Sequence, residues 1–454
     1  MGKEEINHND TICALATAPG GALGIIRVSG PKALSVADSI CRGSIETTPA
    51  NTIRYTHIMD GPEVIDEAVV SIFRAPHSYT GEDSVEISCH GSRYILNKVL
   101  SLLVENGCRM ANPGEYTMRA YLNGKLDLSQ AEAVADLIAS TNRATHHMAM
   151  SQLRGHFSSE LKVLRDQLLK LTSLLELELD FSDHEDLEFA DRTELQTLAE
   201  TIDQRITTLA HSFETGQALK QGIPVAIVGK TNVGKSTLLN ALLNDERAIV
   251  SDIHGTTRDT IEETLDINGV TFRFIDTAGL RETTDTVEKI GIDRTHQKIS
   301  EARIIIWLLD EMPTQAELSE MNLLSEGKST IYVHNKSDLI DSQTFTPYIS
   351  PLLLISAKKR QHIDTLKNKI YEAAHLQALA DNDIIITSAR HYEALIHAHT
   401  NLQQVINGIQ TNLSGDLIAE DLRLVLSDLA DITGSSITPT ETLHNIFKHF
   451  CVGK

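Results

Sequence analysis

An eight-residue segment, Gly229-Lys-Thr-Asn-Val-Gly-Lys-Ser236, limits the architecture of this chain more than any other part of its sequence. It matches the pattern G-x-x-x-x-G-K-S, follows an apolar run (Ile223–Val228) and precedes a helix-forming run (237–243). A strand, a glycine-rich turn and a helix in this order turn backbone N–H groups and a helix N-terminus toward phosphate oxygens. We therefore expect Lys235 to reach the β- and γ-phosphates of a nucleotide and the Ser236 hydroxyl to bind Mg²⁺.

The rest of the chain divides into segments that differ in their pattern of apolar and polar residues. The length of the whole chain, 454 residues, is typical of about three domains. Residues 11–124 alternate short apolar runs with Gly, Pro and Asn, which predicts strands with one helix near 92–105. Apolar residues recur at helical spacing in 126–213 and again in 383–450, on either side of alternating strands and helices. We predict an α/β multidomain protein whose domains are residues 1–124, a discontinuous helical domain of 125–220 plus 381–454, and a P-loop α/β domain, 221–380, inserted into the helical one.

Composition excludes some classes of protein. The chain has 40 basic and 62 acidic residues, a net charge of −22, so its whole surface is not a nucleic-acid-binding surface, although a local basic groove is compatible with that charge. Its five cysteines contain no C-x-x-C pair, which favours reduced thiols and not a structural zinc. The N-terminal residues lack an apolar stretch, and the longest mid-chain apolar run, 304–309, is too short to span a bilayer. We expect a cytoplasmic protein.

A second motif specifies the base. Asn335-Lys-Ser-Asp338 follows the predicted strand 330–334, and Ser356-Ala-Lys358 follows another at 352–355. A carboxylate such as that of Asp338 accepts hydrogen bonds from both the ring N–H and the exocyclic amine of guanine, whereas adenine offers no such donor pair. The complete set of motifs therefore predicts GTP and not ATP.

Two segments between these motifs are predicted to sense the γ-phosphate. The first is Asp276-Thr-Ala-Gly279, in which the aspartate is expected to hold Mg²⁺ through water and the Gly279 amide to face the γ-phosphate. The other is Gly255-Thr-Thr-Arg-Asp259, in which Thr257 is predicted to bind Mg²⁺ directly, together with Ser236. The GTP-binding residues that these motifs predict are Asn232, Val233, Gly234, Lys235, Ser236, Thr237, Gly255, Thr256, Thr257, Asp276, Thr277, Ala278, Gly279, Asn335, Lys336, Ser337, Asp338, Ser356, Ala357 and Lys358.

The residue after Gly279 is Leu280, at the position where Ras-like proteins have the glutamine that orients the attacking water. Leucine has no hydrogen-bonding side chain, so another residue must do this work. The polar residues nearby are Arg281, Glu282, Asp285 and Glu288, and spacing does not choose among them. We expect slow hydrolysis by an isolated domain.

Several other segments carry a more specific resemblance. They are Thr80-Gly-Glu-Asp83, Pro113-Gly-Glu-Tyr116, the block 122–133 (Leu-Asn-Gly-Lys-Leu-Asp-Leu-Ser-Gln-Ala-Glu-Ala), Asp180-Phe-Ser-Asp183 and the C-terminal Cys451-Val-Gly-Lys454. Together with the GTPase motifs they resemble the MnmE (TrmE) family of tRNA modification GTPases, whose chains end in Cys-Ile-Gly-Lys. The resemblance covers residues 10 to 454.

This resemblance implies that residues 1–124 form an α+β folate-binding and dimerisation domain of a homodimer. It also implies that the GTPase domains associate when GTP and K⁺ are bound, with K⁺ in place of an arginine finger. By motif position, the K⁺ ligands are Asn232, Ser251, Ile253 and Thr256, and the resemblance adds Ser251, Asp252, Ile253 and His254 to the expected GTP-binding residues. Among the four polar candidates, the family pattern selects Glu288 as the catalytic residue that orients the attacking water through a second water.

The resemblance further implies a site for 5-formyltetrahydrofolate or a related tetrahydrofolate. The matching residues are Arg27, Glu86, Lys125 and Lys454, with Cys451 as a candidate redox residue or nucleophile. Cations suit the carboxylates of a glutamate tail, and a carboxylate suits the ring donors of a pterin.

The implied activity requires a partner, the FAD-dependent protein MnmG (GidA). Together they add an aminomethyl or carboxymethylaminomethyl group to carbon 5 of the wobble uridine of certain tRNAs. Two alternatives are a ribosome-assembly GTPase acting as a binding switch and a folate-dependent aminomethyl transferase with a regulatory GTPase domain. The acidic cluster at 176–188 is interpreted as a solvated helix end and loop, or as a docking surface or a surface screened by metal ions.

Overall fold

A computed structural model describes most of the chain. The described residues are 10–180, 192–243, 262–275, 296–339, 349–375, 384–435, 443, 446–448 and 450–453. They form two compact units: the first comprises Met1–Ala139, Ala149–Thr207 and Glu393–Lys454, and the second comprises Ser140–Met148 and Thr208–Tyr392.

Helices and strands both contribute to the fold, which is mixed α/β. The main helices are α1 (Ala33–Ile40), α2 (Arg93–Glu105), α3 (Glu115–Leu122), α4 (Leu128–Ala139), α5 (Arg143–Leu153), α6 (His156–Asp180), α7 (Arg192–Gln221), α8 (Lys235–Leu243), α9 (Gln315–Leu324), α10 (Ile363–Ala373), α11 (Ala389–Gln410) and α12 (Gly415–Thr433). Across the described ranges, no helix combines the length and the apolar character needed to cross a bilayer.

The first unit contains a six-stranded sheet near the N-terminus. Its strands are β1 (Thr11–Leu15), β2 (Leu23–Ser29), β3 (Thr52–Asp60), β4 (Glu63–Phe73), β5 (Ser84–His90) and β6 (Cys108–Met110), in the order β3-β4-β5-β2-β1-β6. All neighbours are antiparallel except β1 and β6. Every second residue along parts of these strands is buried, for example Val70 and Ile72 on β4 and Val85 and Ile87 on β5. These side chains share one hydrophobic core with residues of α1 and α2.

Helix packing in the first unit follows the apolar spacing of the sequence. Leu161, Leu164, Leu168 and Leu171 of α6 are each less than 5% exposed, and α6 packs against α12. On α12, Leu422 and other residues at helical spacing are likewise buried. Burial of one such leucine contributes about 2 kcal/mol, so this stripe stabilises the packing of the two helices.

The second unit contains the other six-stranded sheet. Its strands are β7 (Ile223–Val228), β8 (Glu263–Ile267), β9 (Val270–Phe274), β10 (Ile304–Leu309), β11 (Ser329–His334) and β12 (Leu352–Leu354), in the order β12-β11-β10-β7-β9-β8. All neighbours are parallel except β8 and β9. Because parallel strands end at the same edge, the loops that follow β7, β10, β11 and β12 meet there, and that edge is where α/β sheets of this kind bind ligands.

Candidate functional site

The loop after β7 has a backbone that two of its positions restrict to glycine. Gly229 has a φ of 152°, and a Cβ there would collide with the carbonyl oxygen of Leu308. Gly234 has a φ of 102°, and a Cβ there would collide with the side-chain amide of Asn335. Asn232 lies between them in a left-handed conformation, with a φ of 61°. The loop therefore lies against the ends of β10 and β11, as a phosphate-binding loop must.

Lys235 is held inside this loop. Its Nζ donates hydrogen bonds to the carbonyl oxygens of Gly229, at 2.8 Å, and Lys230, at 2.7 Å. Burial, with a smaller contribution from the charge of Lys298, lowers the pKa of Lys235. The side chain is thus fixed at the start of α8. A phosphate bound there would contact both the lysine ammonium group and the partial positive charge of the helix N-terminus.

Asn335 connects three loops through one buried side chain. Its Nδ2 donates to the carbonyl oxygen of Val233, at 2.8 Å, and its Oδ1 accepts from the backbone N–H of Ala357, at 3.0 Å. Its own N–H donates to the carbonyl oxygen of Leu309, at 2.7 Å. Asn335 therefore fixes the phosphate-binding loop relative to both predicted base-binding segments.

Asp338 lies in a 3₁₀ turn, Ser337–Leu339, directly after this asparagine. The Ser356 hydroxyl donates to Asp338 Oδ1, at 2.7 Å, and Lys359 Nζ lies 3.5 Å from Oδ2. The hydrogen bond from Ser356 holds the pKa of Asp338 below its ordinary value. The carboxylate is therefore ionised near neutral pH and offers hydrogen-bond acceptors only, which suits the two N–H donors of guanine.

Two lysines of these loops are paired with acidic residues that the sequence analysis missed. Lys336 Nζ lies 2.6 Å from Asp310 Oδ2, and Lys230 Nζ lies 2.8 Å from Glu317 Oε1. The hydrogen bond from Lys230, together with smaller contributions from the hydrogen bonds that Thr314 donates, lowers the pKa of Glu317 to about 2. Asp310 directly follows the buried strand β10, so its place at the ligand-binding edge was a signal that could have identified it.

The remaining predicted nucleotide residues are only partly described. Ser236 is half-buried in the first turn of α8, and Thr237 and Lys358 are exposed. Outside the described residues lie Ser251, Asp252, Ile253, His254, Gly255, Thr256, Thr257, Asp276, Thr277, Ala278, Gly279 and Glu288, as well as the alternative polar candidates Arg281, Glu282 and Asp285.

In the first unit, Arg27 and Glu86 face each other on β2 and β5. Glu86 Oε1 lies 2.9 Å from Arg27 Nε and 2.7 Å from Nη2. The guanidinium also lies over the rings of Tyr79 and Tyr116, at 5.4 and 5.6 Å from their centroids. The two tyrosines were not identified from the sequence, although Tyr116 belongs to the Pro113–Tyr116 segment.

The C-terminal tail lies beside Arg27. Arg27 Nη1 donates to the carbonyl oxygen of Gly453, at 3.2 Å, and the N–H of Gly114 donates to that of Cys451, at 3.4 Å. The Cys451 side chain is exposed. Lys125 Nζ donates to the carbonyl oxygen of Pro76, at 3.0 Å, whereas Lys454 lies outside the described residues.

Two of the motif segments also contribute to a buried ion-pair network. Arg119, 1% exposed, contacts carboxylate oxygens of Asp10, Glu82 and Glu115, at 2.5, 3.2 and 3.0 Å. Burial acts to raise the pKa of Glu115, but hydrogen bonds led by that from Arg109 outweigh it and lower the pKa. The glutamates of Thr80–Asp83 and Pro113–Tyr116 therefore hold the first unit together.

Known protein families match nearly the whole length of the chain. Two family models match: "GTP-binding protein TrmE N-terminus" over residues 11–125 and "MnmE helical domain" over residues 128–451. Proteins named tRNA modification GTPase MnmE from Phocaeicola vulgatus and Bacteroides thetaiotaomicron are each 53% identical to this chain, of which they cover 98%; the match spans 99% and 100% of those relatives. This chain belongs to the MnmE family of tRNA modification GTPases.

The similarity extends to a relative of somewhat lower identity. The MnmE protein of Flavobacterium johnsoniae is 49% identical over 98% of this chain and 100% of its own length. Membership of the MnmE family, together with the phosphate- and guanine-binding motifs, makes the chain a GTP-hydrolysing enzyme. Among solved structures, the G domain of the T. maritima FeoB iron transporter aligns with 34% of this chain and 99% of its own length, at 25% identity and a TM-score of 0.25.

Proposed function

We propose that this chain is a K⁺-stimulated GTPase that acts with the FAD-dependent protein MnmG (GidA) on the wobble uridine of certain tRNAs. The product carries an aminomethyl or carboxymethylaminomethyl group at carbon 5 of that uridine. The observation that supports the GTPase activity is that Asn335 joins the phosphate loop to the guanine loops, while Asp338 offers hydrogen-bond acceptors to the base. Family membership supports tRNA as the substrate of the complex.

The donor set of the nucleotide site suits the proposed metal ions. Ser236, at the first turn of α8, and Thr257 would hold Mg²⁺ by hydroxyl oxygens, with Asp276 acting through water, and oxygen ligands are those Mg²⁺ prefers. The exposed side chain of Asn232, with oxygens of Ser251, Ile253 and Thr256, would hold K⁺. When bound, these cations neutralise charge that develops on the phosphates.

Hydrolysis in this proposal depends on Glu288. The sequence places leucine at position 280, so the glutamine of Ras-like proteins is not present to orient the water. We assign that orientation to Glu288, which would act through a second water once two GTPase domains associate. The homodimer itself would form through residues 1–124.

The Arg27 site is proposed to bind 5-formyltetrahydrofolate or a related tetrahydrofolate. Two tyrosine rings beside a guanidinium suit a flat heterocycle, and Glu86 supplies acceptors for its ring donors. Lys125 and Lys454 would bind the carboxylates of the folate tail. The exposed thiol of Cys451, on the tail that Arg27 contacts through Gly453, is a candidate redox residue or nucleophile at this site.

The domain organisation that goes with this function remains the one predicted above. Residues 1–124 form the folate-binding and dimerisation domain, 125–220 and 381–454 the helical domain, and 221–380 the GTPase domain. The complex would act in the cytoplasm, where tRNA and reduced thiols are both present.

The decisive experiment is nucleoside mass analysis of tRNA from cells that lack this gene. We expect the wobble carboxymethylaminomethyl nucleoside to be lost and to return with the wild-type gene. It should also return with Glu326→Ala, an exposed glutamate elsewhere in the same unit, but not with Glu288→Ala. Unchanged nucleosides in the deletion strain would refute the tRNA assignment.

A second experiment tests the potassium and catalytic assignments on the purified chain. Replacing K⁺ with Na⁺ at constant ionic strength should slow GTP turnover strongly and reduce association of the GTPase domains. Glu288→Ala should abolish turnover with little change in GTP affinity. Equal rates in the two salts would refute the K⁺ site, and a large loss of GTP affinity in Glu288→Ala would refute its catalytic role.

A further inference from the structure

We propose that Asp310 is a positioning residue for guanine-nucleotide binding, which it supports by holding Lys336 and, through it, the guanine loop. The inference rests on the GTP site of the proposed function and assigns a role to a residue outside the nucleotide-binding motifs. Asp310 is the first residue after β10, and Lys336 follows β11, the neighbouring parallel strand.

The contact between the two side chains is short and partly shielded from solvent. Lys336 Nζ lies 2.6 Å from Asp310 Oδ2, and the two side chains are 40% and 29% exposed, respectively. A charge-assisted hydrogen bond at this distance restrains a flexible lysine side chain more than an open surface pair does. The pair therefore fixes the Lys336 side chain against the end of β10.

The backbone of Lys336 needs such support. Its φ of 60° lies in the left-handed region, which is unfavourable for a side chain other than glycine. The adjacent N–H, that of Asn335, is held by the carbonyl oxygen of Leu309 at 2.7 Å. The last residue of β10 and the residue after it thus hold two consecutive residues of the guanine loop, one by a backbone bond and one by a side-chain bond.

Loss of the Asp310 contact would be transmitted to the ligand by two routes. Asp338 lies only two residues beyond Lys336, and its position relative to Ser356 depends on the same turn. Asn335, on the other side, connects the turn to Val233 of the phosphate loop. A Lys336 released from Asp310 would loosen both contacts and speed the departure of the nucleotide.

Lys230, a second lysine of the nucleotide site, has a hydrogen-bond partner other than Asp310. Lys230 of the phosphate loop pairs with Glu317, at 2.8 Å, and Glu317 is in turn fixed by the capping box with Thr314. Glu311 is adjacent to Asp310, carries the same charge and is exposed. Glu311→Gln is therefore a matched control, because it removes one negative charge from the same segment and leaves the Lys336 contact intact.

The test is the dissociation rate of a fluorescent GDP analogue, mant-GDP, from the full chain with Mg²⁺ and K⁺. We expect Asp310→Asn to speed dissociation about fivefold, the size expected for one partly exposed charge-assisted bond, and Glu311→Gln to change it less than about twofold. KM for GTP should rise in Asp310→Asn, whereas kcat at saturating GTP should stay unchanged, since Asp310 acts on binding and not on the reacting atoms.

A double-mutant cycle with Lys336→Met separates positioning from a general loss of stability. If Asp310 acts through Lys336, then Asp310→Asn should add less than about twofold in the Lys336→Met background. A full fivefold effect in that background would overturn the proposal. If Asp310→Asn does not fold, Asp310→Ser, which also removes the carboxylate that contacts Lys336, should speed dissociation by a similar factor, and an unchanged rate there would overturn the proposal too.

The outcomes distinguish this inference from the function on which it rests. Wild-type chain that does not bind mant-GDP would refute the GTP site itself. Tight binding by the wild type, with equal dissociation rates for Asp310→Asn, would refute only the role of Asp310.

Discussion

The side chain of Asn335 should stabilise the second unit more than any exposed asparagine of that unit does. It is 4% exposed, and Asn335→Ala would leave the carbonyl oxygen of Val233 and the N–H of Ala357 without their partner in a buried place. A buried polar group left unsatisfied costs about 1–3 kcal/mol, so the two together lower the free energy of unfolding by about 3 kcal/mol. Affinity for GDP should fall as well, because the two loops lose their connection.

Urea unfolding followed by tryptophan fluorescence measures this effect in the intact chain. Trp307 is the only tryptophan in the sequence, lies in β10 and is 6% exposed, so its emission reports on the second unit. With a urea m-value of about 2 kcal/mol/M, the loss shifts the unfolding midpoint down by about 1.5 M.

The matched control is Asn322→Ala, because Asn322 is exposed and accepts a hydrogen bond from Tyr332 at 3.1 Å. Its midpoint should move by less than about 0.5 M, as expected for a surface substitution. A shift for Asn335→Ala no larger than that of the control would refute the stabilising role of the amide. A large shift with unchanged GDP affinity would refute its role in joining the loops for binding.

Three further predictions concern other residues. Gly234→Ala should abolish GDP binding, measured by calorimetry, because a Cβ at a φ of 102° would displace the amide of the guanine loop; normal affinity would contradict this. Maleimide at pH 8 should label Cys451 first, because its thiol is exposed whereas those of Cys13, Cys41, Cys89 and Cys108 are buried, and burial also raises the pKa of Cys41 to about 12 and that of Cys89 to about 11. Peptide mass mapping that finds equal labelling would contradict this. The pKa of Glu317 is lowered to about 2, so its carboxylate stabilises the fold above the unfolded-state pKa near 4.5 and loses that effect as pH falls toward 2. Glu317→Gln should therefore reduce the dependence of the free energy of unfolding on pH between about 4.5 and 2. An unaltered dependence would count against the ion pair.

The sequence predicted those parts of the fold that depend on local pattern. The strand predicted at 223–228 is β7 to the residue, and the helix predicted from 237 begins two residues earlier, because Lys235 and Ser236 already belong to its first turn. The helical spacing of apolar residues identified the buried face of α6, since a period of 3.6 residues fixes which side chains share a face. The nucleotide-binding motifs could likewise be identified from the sequence, because the spacing of glycines and the positions of charged residues are local properties of a short segment.

Only the tertiary structure decided which distant residues meet. The Asp310–Lys336 pair joins residues 26 positions apart, the Asn335–Val233 bond 102, and the Arg27–Gly453 bond 426. A periodic pattern tells which side of a strand or helix is buried, but it does not tell which strand lies beside it or which loop ends at the same edge. Strand order and chain packing set those contacts, and for that reason the carboxylates that hold the nucleotide loops and the tyrosines beside Arg27 emerged only from the folded chain.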